Sequence, residues 1–318
     1  MQEKRFPFGG KVVVLGGDFC QILPVIPKGT RHEIVHSAIN SSHLWSYCEV
    51  LTLTTNMRLL SGCADSDIDK RKDFSEWILG VGDGSVGHAD DEYIAVQIPQ
   101  DLLIDGGADS LAAIVQSTYP DLVKNMNDSS FFHQRAILAP TNSVNSFVDV
   151  PDNVHTPEFL NTIVSSGIPN HKIRLKIGVP IMLMRNMDQS SGMCNGTRLI
   201  VTKMGTYVIE GLIISGSHIG ERVFIPRLSL IPSDKRLPFR FQRRQFPINV
   251  CFSMTINKSQ GQSLNHVGVY LSQPIFSHGQ LYVALSRVTS DKGLKVLVAN
   301  QSGENPDLAR NVVYKEVF

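Results

Sequence analysis

One stretch near the C-terminal end constrains the fold of this chain more than any other. FSMTINKSQGQSL (252–264) begins as an apolar, strand-like run and then turns polar. HGQLYVALSR (278–287) follows, and its single arginine, Arg287, comes last. This strand–loop–helix order is typical of domains in which helices cover a parallel sheet. The sequence therefore predicts an α/β fold.

Other segments favour the same fold class. VVVL (12–15) is a continuous apolar run that ends at two glycines, as expected for a central strand of a parallel sheet. EVLTLTTNMRL (49–59) is typical of a second strand, and RAILAPTNS (135–143) of a strand followed by a turn. Between them, RKDFSEWILGV (71–81) predicts a helix, because its apolar side chains recur at helical spacing. These side chains are Phe74, Trp77, Ile78 and Val81.

The pattern changes between residues 173 and 232, where short alternating β stretches are separated by glycines. No helical period interrupts them, which predicts a small β-barrel. Because the strand–loop–helix pattern resumes afterwards, we interpret the barrel as an insert in the second of two domains. We predict the first domain at 1–130, the second at 131–198 and 247–318, and the insert at 199–246.

Composition excludes several classes of protein. The chain has 318 residues, 42% of them hydrophobic and 19% charged, which excludes disorder as its dominant state. No apolar run approaches the length of about 18 residues that spans a bilayer, so we expect no membrane partner. Five cysteines without a C-x-x-C pair indicate neither a disulfide framework nor a metal site. We therefore expect a reducing, intracellular environment.

Any affinity for nucleic acid must come from local grooves, because the net charge is only +1. KRLPFRFQRR (235–244) carries five basic residues and no acid, and phenylalanines lie within and just after it. Cations and aromatic rings together can grip a single strand through its phosphates and stacked bases. The alternative is a solvated surface strand whose phenylalanines are buried. The sequence leaves both interpretations open.

Seven short motifs carry a family resemblance. They are GGDFCQILPV (16–25), LTTNMR (53–58), ILAPTN (137–142), IGVPIMLMRN (177–186), CNGTRL (194–199), INKSQGQSL (256–264) and YVALSR (282–287). In this order they resemble the Pif-type (petite integration frequency) DNA helicases over nearly the whole chain. The plant and Helitron-transposon branch is the most similar, and HTPEFLNTI (155–163) resembles it too.

The resemblance implies a RecA-like P-loop NTPase helicase of superfamily 1, with ATP and Mg²⁺ bound between two RecA-like domains. This chain then corresponds to the end of the first RecA-like domain plus the second, with a small SH3-like β-barrel as the insert. No G-x-x-x-x-G-K-[ST] phosphate loop occurs in it, and the acidic Mg²⁺-holding motif is also missing. We therefore expect a fragment that is inactive alone.

The activity that the resemblance implies is ATP-dependent 5′–3′ unwinding of DNA in repair, recombination, replication or telomere maintenance. Its partners would be ATP, single-stranded DNA and DNA duplex junctions. We expect the nucleus as its location, with the mitochondrion as the alternative, and the sequence does not give the oligomeric state. The alternative function is that of a non-enzymatic remnant of a helicase or Helitron transposon, which binds single strands or a partner.

Three residues are candidates for catalysis. Phosphoryl transfer to water depends on positioning and on cations that stabilise charge on the γ-phosphate, so a guanidinium from the opposite domain can switch hydrolysis on. By resemblance Arg287 is the first candidate for this arginine finger, and Arg58 is the second. Gln21 matches the glutamine that contacts the γ-phosphate. The alternative for either arginine is a surface salt bridge worth under about 1 kcal/mol.

Nucleotide contacts are expected from Asp18, Gln21, Gly261 and Gln280. If 278–287 is a helix, Gln280 and Arg287 lie on one face, so Gln280 would line the same cleft. Cys20 departs from the family, which usually has arginine there, and the ion pair of that arginine is therefore absent.

The resemblance also implies contacts with nucleic acid, because small hydroxyls, amides and a nearby glycine let a backbone approach phosphates without reading bases. The expected residues are Thr141, Asn142, Thr255, Lys258, Ser259 and Gln260. For Thr141 and Asn142, local capping of a turn is an equally good interpretation.

Overall fold

A computed structural model describes residues 7–54, 68–89, 93–107, 109–125, 128–141, 167–232, 242–299 and 307–318. The α-helices are α1 (Arg31–His36), α2 (Ile68–Asp83), α3 (Ser110–Thr118), α4 (Ser129–His133), α5 (Ile256–Ser259) and α6 (Gln280–Leu285). The first strands are β1 (His88–Ala89), β2 (Ile94–Gln97), β3 (Arg135–Ala139), β4 (Pro180–Leu183), β5 (Arg198–Met204), β6 (Val208–Ile213) and β7 (Arg222–Pro226). The later strands are β8 (Leu228–Leu230), β9 (Arg243–Gln245), β10 (Ile248–Val250), β11 (Ser253–Thr255), β12 (His266–Leu271), β13 (Leu294–Val298) and β14 (Leu308–Asn311).

Short 3₁₀ helices complete these elements, at Pro7–Gly10, Ile39–Ser41, Trp45–Tyr47, Gln100–Leu102, Asp291–Gly293 and Lys315–Val317. Among the helices of the described ranges, none combines the length and apolar character needed to cross a membrane.

A four-stranded parallel sheet forms the centre of the molecule, in the order β11-β3-β12-β13. β12 lies between β3 and β13, with Val269 opposite both Leu138 and Val296. All three side chains are buried, as expected for strands covered on both faces. This sheet confirms the predicted α/β fold class and the predicted strand at 135–139.

A second sheet is antiparallel and has its own core. Its order is β10-β4-β5-β6-β7, and a bulge interrupts the pairing of β5 with β6 between Val201 and Lys203. Buried aliphatic side chains of all five strands pack together with Phe246. The sheet extends beyond the predicted insert of 199–246 on both sides, because β4 pairs with β5 and β10 pairs with β4. Among the described residues the ladder ends at β10 and β7 without closing into a ring.

Helix α2 confirms the helix predicted at 71–81. Phe74, Ile78 and Val81 are buried, and Trp77 is partly buried against them. These side chains share one hydrophobic core with the parallel sheet, as do β2 and β14 of a small three-stranded sheet. Helix α3 packs on the other face of the parallel sheet, where Ile114 and Ile137 lie in one cluster. Packing therefore continues across the domain boundary that we predicted at residue 130.

The strand predicted at 12–15 is not formed. Val12 and Val14 are 96% and 90% exposed, and residues 11–18 pair with no described strand. Residues 48–54 are likewise unpaired, and 55–67 lie outside the described ranges. The physical reason is the missing neighbour. An extended segment becomes a sheet strand only when an adjacent strand supplies backbone hydrogen-bond donors and acceptors, and the described residues supply none here.

Candidate functional site

A tight loop at residues 18–21 lies on the N-terminal end of α6. Its turn is closed by Asp18, whose Oδ1 accepts from the Cys20 amide at 3.0 Å and whose Oδ2 accepts from Gln21 Nε2 at 3.2 Å. An aspartate that bonds the backbone two residues on is a common way to form such a turn. Tyr282 of α6 donates its hydroxyl to Asp18 Oδ2 at 3.0 Å. The 18–21 loop is thereby attached to α6.

Gly279 makes this close approach of the loop to α6 possible. It precedes α6 with a φ of 71°, in the left-handed region that glycine tolerates. A Cβ at this position would lie 2.5 Å from the carbonyl carbon of Gln21, so any other residue would push the loop away.

Gln21 contacts the polar motif after β11, which is the segment INKSQGQSL (256–264). The side-chain amide of Gln260 donates to Gln21 Oε1 at 3.0 Å. Gly261 comes next, with a φ of 78° and open space where a Cβ would be. The structure therefore brings together Asp18, Gln21, Gln260 and Gly261, four of the predicted site residues.

Gln280 lies beneath this site and not on its surface. It is fully buried, and its amide donates to Asn257 Oδ1 at 3.1 Å and to the Pro140 carbonyl at 3.4 Å. Its Oε1 accepts from the backbone amide of Phe276 at 3.4 Å. A side chain that joins three backbone segments in this way has no face left for a nucleotide. The contact predicted for Gln280 therefore does not fit its position.

Arg287 also differs from the predicted geometry. Helix α6 spans only Gln280–Leu285, so Arg287 follows the helix and does not continue its face. Its guanidinium is 8% exposed and donates to the carbonyls of Val283 (2.7 Å), Gln262 (3.0 Å) and Ser259 (3.4 Å). These bonds hold the polar motif against α6. The arginine-finger role stays a prediction, and it requires the guanidinium to leave these carbonyls.

Cys20 occupies the position where the family usually has arginine. It is buried and packs beside Gly82 of α2 and Tyr282. Burial first, and then the negative charges of Asp18 and Asp83, raise the pKa of the thiol to about 12. Burial, together with Asp18, also raises the pKa of Tyr282. Both groups are therefore protonated and neutral near pH 7, and Cys20 is not a nucleophile.

The nucleic-acid candidates separate into accessible and buried residues. Thr255 caps α5 without a side-chain bond, and Lys258 is half-buried. Ser259 is fully buried and donates its hydroxyl to the Ile256 carbonyl at 2.7 Å, so it supports the helix and does not face a ligand. Thr141 is half-buried at the end of β3. Asn142 and the catalytic candidate Arg58 lie outside the described residues.

A cleft of about 610 Å³ opens beside the polar motif. One wall is formed by 258–264, and the other by two loops of the antiparallel sheet, at 189–198 and 214–219. Its lining includes the basic or histidine side chains His133, Arg198, His218 and Lys258. No aspartate or glutamate is found among the described residues that line it. A cleft without carboxylates favours an anionic ligand such as a phosphate backbone.

Arg198 lines the cleft and was not singled out by the sequence reasoning. It is fully buried, and its Nη2 donates to the carbonyls of Phe132 (3.0 Å) and Arg135 (2.9 Å). It thus joins β5 of the antiparallel sheet to the parallel sheet at the base of the cleft. Burial lowers the pKa of His133, and the Arg198 charge lowers it further. The arginine of CNGTRL was the available signal, but nothing in the motif indicates its partners.

Residues 242–244 of the basic segment 235–244 are described, and so is Phe246 just after it. Phe246 is buried, and the Arg227 guanidinium lies 4.6 Å from its ring centroid. Arg243 is buried and donates to the Pro169 carbonyl at 2.8 Å, whereas Arg244 is exposed. Residues 233–241 lie outside the described ranges.

Metal-binding side chains do not cluster in the part of the chain that the structure describes. It contains no group of three or more histidine, cysteine, aspartate or glutamate side chains that could hold a metal ion. Asp18 contacts Gln21, and both of its oxygens accept hydrogen bonds.

Comparison with known proteins shows what the chain is similar to. Residues 1–92 match the family model described as PIF1-like helicase, and residues 158–204 match the model of the DNA helicase Pif1 2B domain. The chain is similar to Pif1-type DNA helicases. The 2B match includes β4 and β5, so it begins before residue 199, as the antiparallel sheet does.

Two curated relatives and one solved structure define the extent of the similarity to Pif1. ATP-dependent DNA helicase PIF1 of Homo sapiens is 27% identical over 300 residues, and that of Rattus norvegicus is 26% identical over 305 residues. Each alignment covers 93% of this chain and 42% of the relative, so the chain spans less than half the length of these relatives. The crystal structure of Pif1 helicase from Candida albicans superposes with a TM-score of 0.55 at 22% identity, covering 93% of this chain and 65% of that one. This likeness shows the RecA-like helicase fold.

Proposed function

We propose that this chain is the part of an ATP-dependent 5′–3′ DNA helicase that links the nucleotide to the DNA strand. The observation that carries the proposal is the 3.0 Å hydrogen bond between Gln260 and Gln21. It joins the loop expected to contact the γ-phosphate to the motif expected to contact DNA. The similarity to Pif1 helicases over 93% of the chain supports the same function.

The chemistry of Gln21 fits a residue that positions a reacting group without changing its own charge. In phosphoryl transfer a glutamine amide can orient water or a phosphate oxygen while it stays neutral. Gln260, which contacts Gln21, lies two residues after Lys258, and both line the cleft. Movement of Gln21 would therefore reach the cleft through one hydrogen bond. ATP and Mg²⁺ need further groups that the described residues do not supply, and we assign no step to them.

The cleft supports single-stranded DNA as the ligand on the other side of Gln260. Its lining is polar, glycine-containing and free of carboxylates among the described residues, which suits a sugar–phosphate backbone read without regard to sequence. Action at duplex junctions, roles in repair, recombination, replication or telomere maintenance, a Helitron origin and a nuclear or mitochondrial location are further parts of the proposal that rest on resemblance alone.

A strand-binding titration tests the proposal. Fluorescence anisotropy of labelled single-stranded DNA is measured between about 50 and 200 mM salt for the parent chain and for Lys258→Gln, with Lys172→Gln as the matched control. Lys172 is exposed and does not line the cleft. We expect Lys258→Gln to weaken binding and to reduce the salt slope by about 1, whereas the control leaves both unchanged. Equal binding by all three proteins would refute the cleft as the DNA site.

ATP hydrolysis separates the helicase from a second candidate, a non-enzymatic strand-binding protein. The observation that favours the second candidate is that the 318 residues contain no G-x-x-x-x-G-K-[ST] phosphate loop. Turnover that single-stranded DNA stimulates, and that Gln21→Ala abolishes, would favour the helicase. Strand binding without turnover is expected of a helicase fragment that is inactive alone as well as of the non-enzymatic protein, so only turnover decides between them.

A further inference from the structure

His278 lies at the junction of three segments that are distant in sequence. It is 1% exposed and immediately precedes Gly279 at the start of α6. Its Nε2 is 2.7 Å from the Phe19 carbonyl oxygen, and its Nδ1 is 2.8 Å from the backbone nitrogen of Tyr314. One imidazole therefore connects α6, the 18–21 loop and the C-terminal segment.

These two partners define the protonation state of the ring. The Tyr314 amide is a donor, so Nδ1 must accept and carries no proton. The Phe19 carbonyl is an acceptor, so Nε2 must carry the proton. The neutral Nε2–H tautomer satisfies both contacts, and a protonated ring would set one N–H against another at Tyr314.

The surroundings of His278 favour the same neutral form. The Tyr314 ring stacks on the imidazole with centroids 5.4 Å apart and an interplanar angle of 24°. Burial lowers the pKa of His278, and the charged groups that face it are Asp18 from the loop, Arg31 from α1 and Glu316 from the C-terminal 3₁₀ helix. Arg31 is itself paired with Glu316, at 2.9 Å.

The other attachments of the 18–21 loop are open to water. The bonds from Tyr282 to Asp18 and from Gln260 to Gln21 are both exposed, where water competes for the same donors and acceptors. The bond from His278 to Phe19 involves a buried ring, so losing it would leave a donor without solvent. Among the described side-chain hydrogen bonds from other segments to the loop, this one has a buried donor.

We propose that His278, as the neutral Nε2–H imidazole, is the positioning residue that holds the 18–21 loop on α6 and couples it to the C-terminal segment. The imidazole sets the distance between Gln21 and Gln260 without touching either one. The consequence for nucleotide sensing rests on the proposed function of Gln21, whereas the anchoring itself does not.

Two substitutions test the two hydrogen bonds of the imidazole separately. His278→Gln places an amide N–H near the Nε2 position and keeps the bond to Phe19, but it has no acceptor for Tyr314. His278→Asn places an amide oxygen near the Nδ1 position and keeps the bond to Tyr314, but it loses Phe19. The exposed His88 on β1, replaced by glutamine, is the control.

Amide hydrogen exchange of the full chain, without ATP or DNA, is the readout. We expect His278→Asn to speed exchange at Cys20 and Gln21 about tenfold and to leave Tyr314 protected, and His278→Gln to do the reverse. Parent-like exchange in both variants would overturn the proposal.

Ring nitrogen chemical shifts of the unmodified chain provide a measurement that needs no variant. A proton on Nε2 and a bare Nδ1 at pH 7.5 are expected, and a proton on Nδ1 would overturn the proposal. Because neither readout uses ATP or DNA, failure of the strand-binding titration would leave the anchoring role standing. Failure of the exchange experiment would likewise leave the proposed function standing.

Discussion

Replacing Arg287 with alanine distinguishes a structural role of this residue from a catalytic one. The substitution removes the donor from three backbone carbonyls, those of Ser259, Gln262 and Val283. Ser259 and Val283 keep a second donor, the Gln262 amide and the Ser286 hydroxyl, so we use the net value of about 1 kcal/mol for each hydrogen bond lost. The free energy of unfolding should then fall by about 3 kcal/mol. For a cooperative unit of about 150–250 residues, this lowers Tm by roughly 6–12 °C.

Thermal unfolding followed by circular dichroism measures this effect on Arg287→Ala, Arg287→Lys and a control. Lysine keeps the charge but replaces the planar fork with a single ammonium, so it should recover only part of the loss. The control is Arg244→Ala, because Arg244 is exposed on β9. We expect it to stay within about 0.5 kcal/mol of the parent.

One result would refute this reasoning. Suppose that Arg287→Ala has the same Tm as the parent chain but loses DNA-stimulated ATP hydrolysis. The bonds of Arg287 to the backbone carbonyls would then not stabilise the fold, and Arg287 would act as the arginine finger. Loss of both stability and strand binding would instead show that Arg287 supports the polar motif.

Two further predictions concern backbone geometry and pH. Gly261→Ala should lower the free energy of unfolding by only the roughly 1–2 kcal/mol of left-handed backbone strain. Gly279→Ala should lower it more and speed amide exchange at Gln21, because only the Cβ at position 279 meets the loop. Equal losses of unfolding free energy in the two variants would contradict this. Two serine hydroxyls lower the pKa of Asp188 from 3.8 to about 2, so its contribution is present above pH 3.8 and is lost as the pH falls through about 2. Urea unfolding of Asp188→Asn between pH 5 and 2 should lack this component, and an unchanged pH profile would contradict it.

Periodicity predicted the elements whose burial follows from a regular pattern of apolar side chains. Helix α2 and strand β3 follow from the spacing or continuity of apolar side chains, because burial on a helix face or inside a sheet requires that pattern. The VVVL run at 12–15 has the same local character and is nevertheless exposed. Local sequence gives the tendency to extend, but pairing depends on a neighbouring strand that the segment itself cannot reveal.

The candidate site shows the same limit at the level of single residues. The motif around Arg287 predicted a helix, but left-handed Gly279 delays its start and Leu285 ends it, so Arg287 turns back onto the polar motif. His278 stands in the same motif, and its contact with Phe19 crosses 259 residues. Side-chain types could be read from the sequence, whereas the atoms that they bond could not.

The docking of the 18–21 loop has a consequence for synthesis of the chain. The loop is made about 260–295 residues before the residues that hold it, which are His278, Tyr282 and, through His278, Tyr314. At a translation rate of about 5–20 residues per second, the loop waits roughly 15–60 s for them. During that interval the exposed apolar residues beside it are available to chaperones. The order of synthesis therefore makes the contact between the 18–21 loop and α6 one of the last parts of the molecule to assemble.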